Sequence, residues 1–263
     1  MTPSRLHAEF RRLYLCADAP PEPGADAGLF DARNRVRALV LELGRPADWE
    51  RLGAVWRGVQ TELGLPAPGI AASGTDGLQL WFSLVEPVPP DVAQDFLARL
   101  GRRWLADLPA GRVSGWPQAP HGATPGEVAR HVRPVPALNE ATGNWSAFIA
   151  PDLAPLFADT PWLDIPPGDD GQAGVLGALA SISPTAWEAA LALLRSRTEA
   201  PAPAAQAPAA HTPGAPTPAA HAPSLLGATT HTEPRAFLLA VMNDGSVPLA
   251  LRIEAARALL GAG

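Results

Sequence analysis

Few side chains of this chain could do chemistry, and their types exclude several reaction classes. All 20 basic residues are arginines, so there is no lysine nucleophile, no Schiff base and no phosphate-loop lysine. Cys16 is the only cysteine, which excludes a disulfide framework and a cysteine-based zinc site. Three of the six histidines lie in a Pro/Ala-rich tract, and the others do not suggest a Ser-His-Asp arrangement. Carboxylates and arginines are therefore the candidates for a functional site.

Two segments carry polar residues at the ends of predicted strands. Glu42 lies near the end of the apolar run 36–43, which is typical of a strand covered on both faces. The turn sequence at 74–77 precedes a second apolar strand at 78–85, and its glycines can supply the positive φ that a hairpin needs. Taken alone, Glu42 is an ordinary acidic residue at a strand end, and the turn is an ordinary hairpin turn.

The pattern of apolar residues predicts one α+β domain over 1–197, a mixed sheet packed with helices. Helices are predicted at 4–15, 48–64, 91–107, 151–157, 172–182 and 184–197. Strands are predicted at 36–43, 70–73, 78–85, 112–114, 131–135 and 145–149.

The composition changes abruptly after this domain. The segment 198–231 is rich in proline and alanine, which predicts a disordered linker. Its histidines recur every ten residues, which we interpret as repeat duplication rather than as a metal site. The segment 232–263 predicts a helical hairpin that is too small to be stable alone. We therefore expect a protein partner, or docking on the main domain, at 232–260.

The order of elements over about 35–107 resembles the polymerase domain of bacterial end-joining DNA ligases and, more widely, the archaeo-eukaryotic primase-polymerase superfamily. In that family a strand ending in Asp-x-Asp leads through a helix to a Ser-Gly-x-x-Gly-x-His hairpin. The resemblance implies that two carboxylates bind divalent metals for nucleotidyl transfer and that the hairpin contacts the incoming phosphates.

Placed on this family pattern, the sequence keeps the hairpin but loses most of the chemistry. Glu42 stands at the first carboxylate position, and Gly44, which has no metal-binding side chain, stands at the second. Gln79 replaces the histidine and cannot supply its positive charge to a phosphate. The candidate remnant site is therefore formed by Glu42, Ser73, Gly74, Gly77 and Gln79.

These substitutions predict a catalytically degenerate protein that acts as a nucleic-acid- or protein-binding scaffold, with no catalytic residue and no cofactor. One alternative is an active nucleotidyl transferase that uses Mg or Mn, with Glu42 and another acid such as Glu86 as ligands. Asp164 is the nearest candidate for the family's third acidic motif. A second alternative is an unrelated α/β interaction module, which would gain support if strands 36–43 and 78–85 were not neighbours in one sheet.

The charge balance limits how nucleic acid could bind. The net charge of −6 argues against coating nucleic acid through bulk electrostatics, but it leaves room for a local arginine patch. Arg130, His131 and Arg133 are the candidate phosphate contacts. The sequence shows no secretory signal and no membrane-spanning run, so a cytoplasmic location without a membrane partner is expected.

The C-terminal pair of predicted helices has a similarity of its own. The sequence from Phe237 to Leu260, a helix followed by a break, a proline and a second helix, is similar to a segment of phage small terminase subunits. It implies a bacterial mobile element or a replication gene cluster as the setting of the protein.

Overall fold

The computed structural model describes residues 4–17, 29–118 and 130–198. The chain divides into two units, Met1–Ala204 and Ala205–Gly263, and every described residue belongs to the first. The predicted linker at 198–231, apart from its first residue, and the predicted hairpin at 232–263 lie outside the described residues. Within the described part of the chain, no helix has the length and apolar character needed to cross a membrane.

The first unit is built on a five-stranded sheet in the order β4-β1-β3-β2-β5. Every pair of these strands is antiparallel, so the expected mixed sheet was wrong in this respect. The short connection between β2 and β3 accounts for the orientation of that pair, since a hairpin joins antiparallel strands. The strands are β1 Val36–Gly44, β2 Gly69–Ala72, β3 Gly77–Val88, β4 Val113–Trp116 and β5 Ala147–Ile149.

Helices cover both faces of the sheet, which explains why β1 and β3 are apolar along most of their length. One face packs against α2 Trp49–Thr61, α3 Pro90–Trp104 and α5 Pro184–Thr198. The other face packs against α1 Arg5–Leu13 and α4 Asp169–Gly177. The predicted α+β architecture is therefore confirmed as helices on a five-stranded antiparallel sheet.

Local sequence signals fix several of these helices. Asp48 caps α2, because its side chain accepts a hydrogen bond from the Arg51 backbone N–H at 3.1 Å. Gly64, with φ +64°, supplies the left-handed residue that follows α2. Ser183 caps α5, accepting from the Ala186 N–H at 3.2 Å.

Three predicted elements differ from the structure. The strand expected at 131–135 is irregular, because Pro134 and Pro136 cannot donate ladder hydrogen bonds. The helix expected at 151–157 is a 3₁₀ helix, Ala154–Phe157. The helix expected at 172–182 begins earlier, at Asp169, and ends at Gly177. Ile182 instead pairs with β3, donating to the Ser83 carbonyl at 2.7 Å.

A glutamine side chain closes the edge of the sheet at β5. Gln172 on α4 donates to the Phe148 carbonyl at 2.9 Å and accepts from the Phe148 N–H at 2.7 Å. The amide thus takes the place of one residue of a further strand. It satisfies backbone groups that would otherwise invite pairing with another chain.

Candidate functional site

A cavity of about 290 Å³ lies where β1 ends and β3 begins. Its lining joins four of the predicted site residues, Glu42, Ser73, Gln79 and Arg133. The remaining lining residues come from the hairpin turn, from β4 and from the segment before β5: Thr75, Trp116, Val132, Val135, Ala137, Leu138, Asn139 and Ser146. The fold therefore brings together three residues that the resemblance selected and one of the separately predicted phosphate contacts, Arg133.

The pairing of β1 with β3 places Glu42 directly opposite Gln79 and Gly44 opposite Gly77. The two side chains at 42 and 79 project from the same face of the sheet, because partners in an antiparallel pair point the same way. The resemblance requires strands 36–43 and 78–85 to be neighbours, and they are. The alternative of an unrelated α/β interaction module therefore lacks the observation that would have supported it.

A chain of hydrogen bonds ties Glu42 into the protein interior. The Gln79 amide Nε2 donates to Glu42 Oε2 at 2.7 Å, and Gln79 Oε1 accepts from the buried Trp81 Nε1 at 2.9 Å. An indole N–H can only donate, so it fixes which end of the Gln79 amide faces Glu42. The Gln79 amino group is therefore held against the carboxylate.

Gly77 is required by the position of the Glu42 side chain. A Cβ at residue 77 would lie 2.7 Å from Glu42 Oε1 and 2.9 Å from its Cγ. Only glycine allows the carboxylate to lie against the backbone of the next strand. Residue 77, where the resemblance also places a glycine, therefore needs a glycine for a packing reason.

The hairpin turn uses the Ser73 hydroxyl internally. Ser73 Oγ accepts from the Gly77 N–H at 3.0 Å and from the Thr75 N–H at 3.2 Å, and it lies 2.9 Å from Thr75 Oγ1. Gly74, with φ +78°, donates its N–H to the Pro161 carbonyl at 3.0 Å. These hydrogen bonds hold the turn in place without a ligand.

A second carboxylate, which sequence reasoning missed, lies beside Glu42. Asp76 Oδ1 is 3.4 Å from the point where a Cβ on Gly44 would lie, so its acid group stands next to the family's second carboxylate position. Asp76 also forms an ion pair with Arg45, at 3.5 Å between Oδ2 and Nε. The signal was present in the sequence, because Asp76 lies between the two hairpin glycines.

The electrostatic environment makes the Glu42 carboxylate harder to ionise. Burial raises its pKa above the usual value, and the nearby charge of Asp76 raises it further. The hydrogen bond from Gln79 and the charge of Arg45 act in the opposite direction. The carboxylate is therefore a half-buried group with partners of its own.

The three predicted phosphate contacts lie in different environments. Arg133 is exposed and lines the cavity, and its Nη1 is 3.3 Å from the Leu138 carbonyl. Arg130 is exposed and forms a backbone bridge with Gln118. His131 is buried: its Nδ1 accepts from the Val132 N–H at 2.9 Å, so Nε2 carries the proton and donates to the Ala38 carbonyl at 3.0 Å. This packing leaves His131 no ring nitrogen for a phosphate.

The two other acids considered as metal ligands are not in this cavity. Glu86 lies seven residues along β3 from Gln79, roughly 23 Å at the usual rise of a strand. Asp164 follows Leu163, whose backbone pairs with Trp145. No group of three or more His, Cys, Asp or Glu residues within the described ranges could hold a metal ion. The donor set found here therefore does not fit a two-metal centre.

Comparisons with known proteins give little to add. No family model matches the chain, and no curated protein matches it. Among solved structures, the chain is similar to the AEP domain of the cyanophage S-2L primase-polymerase, with 16% identity and a TM-score of 0.25. The match covers 54% of this chain and 60% of that one, which is less than two thirds of either. So distant a similarity to a primase-polymerase domain carries no argument about the site, which depends on the geometry above.

Proposed function

We propose that this chain is a catalytically degenerate primase-polymerase-like protein that acts as a binding scaffold and does not transfer nucleotides. The observation that carries the proposal is the engagement of Glu42 with Gln79. The one acid that the resemblance places at a metal position is held by a neutral amide, which is itself held by Trp81.

The chemistry of nucleotidyl transfer explains why this arrangement argues against catalysis. Two metal ions about 4 Å apart need several carboxylate oxygens that converge on them. In the cavity, Gln79 occupies Glu42 Oε2, and Glu42 Oε1 lies against Gly77. A metal ion would have to displace the amide from Oε2, although Trp81 orients that amide toward the carboxylate.

Nucleic acid is the ligand that the rest of the cavity favours. Arg133 provides an exposed cation at the rim, and Trp116, only partly buried, provides an aromatic ring in the wall. Cations that contact phosphates and rings that stack on bases are the usual elements of single-strand recognition. Binding to a protein through 232–260 is the other form of the scaffold hypothesis.

Calorimetry with manganese, followed by dATP in the presence of manganese, tests the loss of catalysis. The full chain, Glu42→Ala and Glu86→Ala are compared, the last being a matched loss of one carboxylate from the far end of β3. We expect no tight manganese binding in any of them and no primer extension. Tight binding that Glu42→Ala abolishes and Glu86→Ala retains would instead establish an active metal site.

A fluorescence anisotropy titration with a labelled single-stranded oligonucleotide tests the scaffold role. We expect binding that weakens severalfold in Arg133→Ala, because loss of one phosphate contact removes one charge-assisted hydrogen bond. Arg195→Ala is a suitable control, since it removes the same charge from α5, outside the cavity. Equal affinity in all three proteins would contradict the assignment of nucleic acid to this cavity.

A second candidate function deserves its own test because of the position of Asp76. Its acid group stands beside the vacant side-chain position at Gly44, so Glu42 and Asp76 together form a pair of acids that could hold one divalent cation. Such a cation would supply charge stabilisation to a phosphate. If this candidate is correct, Asp76→Asn abolishes manganese binding as fully as Glu42→Ala does, and Arg45→Ala strengthens it by removing the competing ion pair.

Restoring the family residues tests the resemblance itself. The variant Glu42→Asp, Gly44→Asp, Gln79→His replaces all three divergent positions, and residue 44 has space for a side chain because its nearest neighbours lie at 3.4 Å. We expect this variant to gain manganese binding that the natural chain lacks. A folded variant without such binding would argue that the shared order of elements is coincidental.

A further inference from the structure

A cavity lined by basic side chains lies beside α1, away from Glu42. It measures about 470 Å³, and its lining consists of four basic side chains and three small or apolar ones: His7, Ala8, Arg11, Arg12, Leu15, Ala17 and Arg37. No carboxylate among the described residues lines it. In a protein with a net charge of −6, three arginines in one cavity make its lining locally basic.

Arg37 is the most informative of these cations, because it is half-buried and has no counter-ion among the residues that the structure describes. Its Nε donates to the Leu84 carbonyl at 2.8 Å, and its Nη1 and Nη2 donate to the carbonyls of Leu15 and Arg12 at 3.0 and 3.2 Å. All three acceptors are neutral. Burial lowers the pKa of Arg37, which shows that its charge is held at a solvation cost that a nearby anion would reduce.

Arg12 is fixed in a similar way but is partly neutralised. Its Nε pairs with Glu9 Oε2 at 2.7 Å, and its Nη2 donates to the carbonyls of Leu176 and Leu179, at the end of α4. Glu9 therefore compensates one of the three arginines. Arg11 and Arg37 make no ion pair with any residue that the structure describes.

The exposed face of α1 completes the cavity. His7 and Arg11 are exposed and lie four residues apart, so their side chains are neighbours on one helix face. The backbone carbonyls of Arg12 and Leu15, which would repel an anion at the end of α1, already accept hydrogen bonds from Arg37. An anion that entered would meet donors and fixed positive charge.

We propose that this α1 cleft, defined by His7, Arg11, Arg12 and Arg37, binds a phosphate-bearing anion. Arg11 would contact the phosphate directly, since it is exposed and its fork matches phosphate oxygens. Arg12 and Arg37 would provide a fixed positive field from positions that neighbouring carbonyls hold. The cleft lies about five residues along β1 from Glu42, roughly 17 Å, and the proposal does not depend on the function proposed for that cavity.

The test is isothermal titration calorimetry of the full chain with inorganic pyrophosphate, without divalent metal, at an ionic strength of about 0.15 M, where the Debye length is about 8 Å. We expect binding that Arg11→Glu weakens about tenfold to a hundredfold, because a charge-assisted contact is lost and a repulsion is added. Arg5→Glu is the matched control, since it makes the same charge change on the same helix outside the cleft. Its affinity should stay within about twofold of the natural chain's.

Two sources of the phosphate group can be distinguished by competition with a labelled single-stranded oligonucleotide. If pyrophosphate displaces the oligonucleotide from the natural chain but not from Arg11→Glu, the cleft binds a nucleic-acid backbone. Pyrophosphate binding without any oligonucleotide binding assigns it to a phosphorylated small molecule. The proposal is overturned if pyrophosphate gives no binding, or if Arg11→Glu and Arg5→Glu weaken it equally. Thermal melts of both variants check that the fold is retained.

Discussion

The Glu42 cavity and the α1 cleft differ in how completely their polar groups are satisfied. In the Glu42 cavity, the carboxylate, the Gln79 amide and the Ser73 hydroxyl have protein partners. Around α1, the Arg37 charge has only neutral acceptors among the described residues. On the buried side of the helix, the Tyr14 hydroxyl, which does not line the cleft, has no partner among those residues either. The first region is organised without a ligand, whereas the second retains capacity for one.

This difference changes where a function should be sought. A pocket whose acid and amide satisfy each other gains little by binding a cation, because the existing hydrogen bonds would first have to break. A cleft with uncompensated cations gains electrostatic energy from any anion that fits. The resemblance draws attention to the acid of the first region as a metal ligand, but that acid already has a partner, whereas the second region has positive charge that an anion can neutralise.

The largest effect we predict concerns Gly74, in the hairpin turn beside the Glu42 cavity. Gly74→Ala should reduce the free energy of unfolding by about 2–4 kcal/mol, because φ is +78° and the new Cβ would lie 2.8 Å from the Ser146 backbone nitrogen. Gly143→Ala, with the same φ of +78° but open space around it, should lose only about 1 kcal/mol. Urea unfolding measures both. Equal losses would show that the turn is not packed against the segment before β5.

A smaller loss is expected when the fork of Arg37 is removed from the α1 cleft. Arg37→Lys keeps the charge but cannot donate to three carbonyls in the same geometry, so the free energy of unfolding should fall by about 1–2 kcal/mol. Arg33→Lys, at an exposed position, should change it by less than about 0.5 kcal/mol. If Arg37→Lys left the free energy of unfolding unchanged, the cleft would not be held rigidly. The contrast between the two regions would then weaken.

A substitution of Tyr14 should change the free energy of unfolding in the opposite direction. Tyr14→Phe should raise the free energy of unfolding by about 1 kcal/mol, because a buried hydroxyl without a partner is removed from an aromatic cluster. Ser83→Ala is the comparison, since that buried hydroxyl lies 2.6 Å from the Leu13 carbonyl and its loss should destabilise the protein by a similar amount. Destabilisation by Tyr14→Phe would show that the hydroxyl has a partner after all, and the α1 region would then be as well satisfied as the Glu42 cavity.

The sequence predicted the strands of the sheet better than the site that they carry. Apolar runs identified β1 and β3, and the glycine turn identified the hairpin of β2 with β3, because these signals are local. The segment 131–135 was misassigned as a strand, since its apolar valines pack although its prolines prevent pairing.

The site itself depended on contacts that no local pattern reports. The resemblance found Glu42 and Gln79 but could not show that they bond to each other, because that follows from the β1–β3 register. Asp76 was missed, since its significance comes from its distance to Gly44 in another strand. The α1 cleft was missed for the same reason: Arg37 and Arg11 are 26 positions apart in the sequence and come together only when β1 packs beneath the helix.

The smallest predicted effect tests how well the Glu42 carboxylate is accommodated. Its pKa in the folded protein is raised, chiefly by burial, so the folded state holds a proton that the unfolded chain has released at the same pH. Glu42 therefore lowers the free energy of unfolding as the pH rises from about 4.5, the ordinary value for a glutamate, through its raised pKa. Glu42→Gln keeps an acceptor for Gln79 without the charge, so the variant should be more stable than the natural chain at pH 7 and equally stable near pH 4. The difference at pH 7 should be less than about 1 kcal/mol, because Gln79 and Arg45 already offset part of the cost of burying the carboxylate. Urea unfolding between pH 4 and 8 measures the gap between the two curves. Parallel curves would show that the carboxylate is as well solvated in the folded state as in the unfolded chain, and the closed network around Glu42 would no longer distinguish this cavity from the α1 cleft.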